Sequence, residues 1–157
     1  MLYAYEQTLW LAIPLGSEPG GGGGSGGGSP SRRPRVLIVE DDALVAEMYR
    51  LALSRAGYEV VTAADGEVGL ERARASRPDF AFLDIRMPRM DGIELLRRLV
   101  ADAKTRQLPV VMLTNYDDGS YRRATIEMGA KDFLVKTSIV PGDLPSIIER
   151  WLPHPDS

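Results

Sequence analysis

Cysteine is missing from all 157 residues, which excludes a disulfide framework, a thiolate metal site and a cysteine nucleophile. Histidine occurs once, as His154 in a Pro-flanked tail, where a solvated side chain is expected rather than a ligand or a general base. No apolar run is long enough to span a bilayer. The first apolar patch, residues 9–15, has about half the length needed and no basic stretch before it, so it does not read as a signal peptide. Formal net charge is only -3, which gives neither a nucleic-acid footprint nor an attraction to anionic membranes. The expected partners therefore include no nucleic acid and no membrane. The lack of cysteine fits a reducing, cytoplasmic setting.

What is present is an ordinary globular composition, 44% apolar and 26% charged, preceded by an unusual leader. Residues 1–15, MLYAYEQTLWLAIPL, are rich in aromatics. As a helix they put Leu2, Tyr5, Leu9 and Ile13 on one face, closed by Pro14. As a strand they would align Tyr3, Tyr5, Leu9 and Leu11. Either way the segment is too short to fold alone. Residues 16–34 follow, with GGGGGSGGGS at 20–29, a linker of engineered appearance whose reach is about 20–25 Å. The economical reading is a partner-derived peptide tethered to the domain it binds, because a short linker gives a millimolar-order effective concentration. Tyr5, Leu9, Trp10 and Ile13 are its expected anchors, tyrosine and tryptophan being the residue types that dominate interface energetics.

From Arg35 the pattern becomes strand–helix units. Apolar runs at 35–39, 58–62, 80–83, 110–113 and 132–135 predict five strands. Helices are expected over 43–56, with Val45, Met48, Tyr49 and Ala52 inward, then 65–75, 92–103, 119–128 and 144–152. Asp42 reads as the N-cap of the first helix, and Asp91 with Glu94 as a capping box on the third. Alternating strands and helices define an α/β fold, a doubly wound five-stranded parallel sheet of order 2-1-3-4-5 with five helices. The domain is expected over 35–152, leaving 153–157 as a tail and no output domain on this chain.

Several strands end on chemistry. Glu40, Asp41 and Asp42 follow the first, Asp84 the third, Thr114 the fourth and Lys136 the fifth. Gathered on one rim, carboxylates repel by about 4 kcal/mol per pair at 4 Å and an effective dielectric of 20. A divalent cation relieves that repulsion. An all-oxygen set with open water positions suits Mg²⁺. An ammonium and a hydroxyl opposite would hold phosphoryl oxygens, and an aspartate can itself be the nucleophile. The chemistry suggested is Mg²⁺-assisted phosphoryl transfer to Asp84.

The segments VLIVEDD (36–42), FLDIRMPRMDG (82–92), Leu113-Thr114 and LVK (134–136) together resemble the receiver domain of two-component response regulators, over about residues 34–152. The resemblance implies a flavodoxin-like fold and a signalling switch rather than a turnover enzyme. It implies that Asp84 accepts phosphate from a histidine kinase or phosphotransfer protein. Asp41, Asp84 and the backbone carbonyl of Arg86 would hold Mg²⁺, with Glu40 acting through water. Lys136 would pair with the phosphate, Thr114 would move toward it, and Phe133 stands at the place of a rotamer-switch aromatic. Arg86 and Tyr116 match variable positions that tune dephosphorylation. Thr137 replaces the usual proline after the lysine, which bears on the last loop. Asn115 is bulkier than the usual small neighbour of the threonine, which bears on access to the phosphate.

Two other functions compete. The domain could be a phosphorylation-independent scaffold that docks the tethered peptide, whose parent protein would then be a partner. A dehalogenase-type phosphatase would need a second acid two residues after the nucleophile, and position 86 is arginine.

Overall fold

The computed structural model describes residues 32–115 and 118–152. The peptide with its anchors Tyr5, Leu9, Trp10 and Ile13, nearly all of the linker, Tyr116 and His154 lie outside the described residues.

Five strands form one parallel sheet in the order β2-β1-β3-β4-β5. They are β1 (Arg35–Val39), β2 (Glu59–Ala63), β3 (Phe80–Leu83), β4 (Val110–Thr114) and β5 (Asp132–Val135). Among the described residues five α-helices alternate with them: α1 (Ala43–Arg55), α2 (Gly66–Ser76), α3 (Gly92–Ala101), α4 (Gly119–Met128) and α5 (Leu144–Glu149). β1 and β3 are completely apolar past Arg35 because each is covered on both faces. Alternate residues point to opposite layers. Val36, Ile38, Phe80, Phe82, Val111 and Leu113 meet Tyr49 and Leu53 of α1 and Leu144, Ile147 and Ile148 of α5. Leu37, Val39, Ala81, Leu83 and Met112 meet Leu70 of α2 and Leu95, Leu96 and Leu99 of α3, with Tyr121 and Met128 of α4 packed against that layer.

Local signals set most of the boundaries. Asp42 caps α1 by accepting from the amides of Leu44 and Val45, and Asp65 caps α2 through Val68. Gly129, at φ 117°, ends α4 in a left-handed conformation that costs glycine nothing.

Four expectations need correction. The buried face of α1 is Ala46, Tyr49 and Leu53, whereas Val45, Met48 and Ala52 are only half-buried. Leu53 sets the phase because it is the larger apolar group to bury, and Ala52 is displaced to the flank. The capping box on α3 is half made: Asp91 accepts from the Glu94 amide at 2.8 Å, but the Glu94 carboxylate turns outward to Arg97 and Arg98. The third helix stops at Ala101 rather than 103, with Asp102 as its C-cap. The last helix is also shorter than expected, ending at Glu149. Before it the chain makes two 3₁₀ turns, Lys136–Ser138 and Pro141–Asp143.

The helix phase is testable. Leu53→Ala should destabilise the domain by about 2–5 kcal/mol in urea unfolding, and Met48→Ala by distinctly less. Equal losses would contradict the observed packing.

Candidate functional site

The register of the sheet builds the site. Val39 lies opposite Leu83 in the β1–β3 ladder, so the residues that follow them, Glu40 and Asp84, emerge side by side at the carboxyl edge. The ladder extends one step further on both sides, with the Asp84 amide on the Val39 carbonyl at 3.0 Å and the Glu40 amide on the Ala63 carbonyl at 2.9 Å. This is the reversal point of the strand order, where parallel sheets of this kind bind ligands.

Carboxylate oxygens of Glu40, Asp41 and Asp84 lie within 4.8 Å of one another. Glu40 and Asp84 are buried, and Asp41 faces solvent. The Lys136 ammonium arrives from the end of β5 and bridges the two buried acids, 2.5 Å from Glu40 Oε2 and 3.0 Å from Asp84 Oδ2. Replacing the expected proline by Thr137 therefore leaves the lysine pointed into the cluster, from the first residue of a 3₁₀ turn. Its direct contact with Glu40 was not anticipated. The two residues are 96 positions apart, and local sequence carries no signal for that pairing.

Thr114 closes β4 fully buried, in register with Val135, the residue before Lys136. Asn115, next to it, is exposed. Phe133 is buried in the core layer. The Arg122 guanidinium of α4 lies 4.9 Å from its ring centroid and donates to the Phe133 carbonyl at 3.1 Å. Arg86 is exposed, and with Asp41, Met87 and Asp91 it lines an open cleft of about 500 Å³ beside the acids. Solvent or a ligand can thus reach the cluster from the Asp41 side.

The loop between β3 and α3 is held tightly. Gly92 sits so close to Asp84 that a Cβ there would lie 1.9 Å from the Asp84 carbonyl oxygen. Arg89, at φ 68°, pairs with Asp65 at 2.8 Å. Met90 is buried and would collide with any side chain at Gly66. Met87 and Met90 pack on the core, as loop packing requires, whereas Pro88 is exposed.

One ammonium serves three acids here. Burial pushes the Glu40 carboxyl up from 4.5 to about 7, with the Lys136 hydrogen bond opposing and the Asp84 charge adding to the rise. Burial alone would lower the Lys136 ammonium, but its hydrogen bond to Glu40 and the charges of Glu40 and Asp84 outweigh it, leaving the ammonium above its ordinary 10.5. The lysine stays charged, and the surplus negative charge is what the site resists. Three clustered oxygen ligands with one solvent-facing member fit a hard divalent cation.

The chain matches the family described as the response regulator receiver domain over residues 36–149, and it belongs to that family. Such domains are switches in two-component signalling, not turnover enzymes, and they bind Mg²⁺ in general. Among curated relatives, the transcriptional regulatory protein AfsQ1 of Streptomyces coelicolor is 41% identical over 103 residues, 66% of this chain and 44% of its own length. The alkaline phosphatase synthesis transcriptional regulatory protein PhoP of Bacillus subtilis is 34% identical, over 42% of its own length. The chain therefore spans less than half the length of these relatives. The chemotaxis protein CheY4 of Vibrio cholerae superposes with a TM-score of 0.72 at 32% identity, covering 77% of this chain and all of that one. No helix among the described residues is long and apolar enough to cross a membrane.

Because the folded value of Glu40 lies above its ordinary one, the protonated carboxyl favours the fold. Its contribution is complete below about 4.5 and is lost as pH rises to about 7. Metal-free protein in EDTA should lose stability across that window in urea titrations, and Glu40→Gln should flatten the slope. An unchanged slope in the variant would show that another group is responsible.

Proposed function

We propose that this domain is a phosphorylation-controlled signalling switch with Asp84 as its phosphoacceptor. The observation that carries the reading is the Lys136 ammonium bridging Glu40 and Asp84 at 2.5 and 3.0 Å, which leaves a charged group beside Asp84 where phosphoryl oxygens would sit. The donor is a histidine kinase or phosphotransfer protein. An Asp84 carboxylate oxygen attacks the phosphorus of phosphohistidine, the P–O bond forms, and the P–N bond breaks with its electron pair returning to the imidazole. Lys136 is placed to hand its hydrogen bonds from Asp84 to the incoming phosphoryl oxygens.

The acid cluster fits Mg²⁺, held by Asp41, Asp84 and the backbone carbonyl of Arg86, with Glu40 acting through water. When bound, the ion neutralises charge on the acids and the phosphoryl group. Thr114 and Phe133 form the responding pair: the buried hydroxyl is drawn toward the phosphate, and Phe133 repacks beneath Arg122. That alters the surface around α4, β5 and α5 and so biases protein binding. Residues 1–15 serve as a tethered partner segment on the 16–34 linker, and the domain acts in the cytoplasm.

Incubation with acetyl phosphate and Mg²⁺ should give a phosphoprotein band on Phos-tag gels and an adduct mapping to Asp84 by mass spectrometry. Asp84→Ala should give neither, and Asp41→Asn should lower the yield by about tenfold or more. Thr114→Ala should still accept phosphate but lose the accompanying shift of the Phe133 and Arg122 amide signals in NMR spectra. An undiminished adduct in Asp84→Ala would overturn the assignment.

A further inference from the structure

The amino edge of the sheet, opposite the acid cluster, carries a second and larger cleft of about 630 Å³. Pro78 before β3, Leu108 and Pro109 before β4, and Trp151 and Leu152 after α5 give it apolar walls, and Lys104 stands on its rim. A volume of that order accommodates a small ligand or a few side chains. Trp151 is 39% exposed there, one of four large apolar side chains left open among the described residues. Parallel sheets of this kind bind their reactive ligands at the opposite edge, so the cleft is free of the chemistry at Asp84.

We propose that this cleft is the docking site of the chain's own residues 1–15, an inference that rests on reading them as a tethered partner segment. Three observations select that occupant. The chain enters the described structure at Arg32, whose guanidinium is tied to Asp79 at 3.0 Å, and Asp79 lines the cleft. The leader is thus anchored at the cleft's rim, and about 20–25 Å of linker reach keeps the peptide at high local concentration there. The charges also match. Within residues 1–15 the one ionised side chain is the acidic Glu6, whereas Arg77 and Lys104 line the cleft and Asp79 is occupied by Arg32 and the Arg35 amide. Finally, Tyr3, Tyr5 and Trp10 are the flat amphipathic groups that an apolar cleft with a polar rim takes best.

The absence of cysteine makes the test direct. A nitroxide on Gln7→Cys in the full chain, without phosphate donor or Mg²⁺, reports where the peptide sits through broadening of amide signals in ¹⁵N NMR spectra. Amides of Lys104–Leu108 and of Trp151 should lose most of their intensity, while those of α1 and α4 keep theirs. The double variant Lys104→Glu, Trp151→Ala, altered only at exposed positions, should restore the lost signals. Mixing labelled chain with ¹⁵N chain separates docking in the same molecule from docking in a neighbour, and either at this cleft supports the proposal. Broadening centred on α1 or α4 would overturn the cleft and leave the tethered-partner reading standing. Weak, uniform broadening would overturn both, as would a cleft filled by residues 153–157 and untouched by the label. None of these outcomes depends on whether Asp84 accepts phosphate.

Discussion

The Lys136 ammonium sits between two buried carboxylates with a third at the solvent side, and that imbalance governs the rest of the site. One buried cation facing one anion is close to electrically satisfied. Facing three, it leaves a surplus that the low-dielectric interior makes expensive. Burial raises the Glu40 carboxyl most, and the neighbouring Asp84 charge adds to that rise. A proton on Glu40 would relieve the surplus by neutralising one carboxylate, whereas a divalent cation would relieve it with all three still ionised.

Holding four charged groups together requires a frame that does not yield, and the sheet supplies it. The β1–β3 ladder runs directly into Glu40 and Asp84, fixing both Cα positions through backbone hydrogen bonds. The next loop cannot drift, because Gly92 is pressed against the Asp84 carbonyl and its own amide bonds the Ile85 carbonyl at 2.8 Å. Arg89 and Met90 fasten the same loop to the start of α2. Tight backbone packing below Asp84 fixes the strand end, while its buried carboxylate is held by Lys136.

Strands and their order were legible because each apolar run is bounded by turn residues and alternates with helix-period segments, and such a pattern has few topologies. The gathering of Glu40, Asp41, Asp84 and Lys136 was legible for a related reason: in a parallel sheet the residues that follow each strand lie on one rim. Legibility failed where the deciding contact is distant or competitive. The α1 stripe depends on which neighbour offers the deeper layer, so Leu53 displaced Ala52. Glu94 had two uses, and nearby Arg97 and Arg98 won it from the cap. The Lys136–Glu40 pair spans nearly the whole domain. Phe133 is a single aromatic on a short strand whose neighbours are mixed, and Arg122, 11 residues before it, lies over its ring only because α4 folds back onto β5.

The two edges of the sheet also differ in what their charges are for. Helices return antiparallel to the strands, so their positive N-terminal ends lie near the acid cluster and their negative C-terminal ends near the opposite cleft. Cations such as Arg77, the C-cap of α2 at φ 48°, and Lys104, just beyond α3, therefore have a structural reason to stand at the amino edge. Helix electrostatics accounts for them without any ligand. It does not account for Trp151, which leaves a large indole partly in water over Leu108 and Pro109. Burying that surface is favourable at about 25 cal/mol per Å², and the chain carries its own aromatic segment on a tether fixed beside it. The apolar surface, more than the charge, is what favours an occupant there.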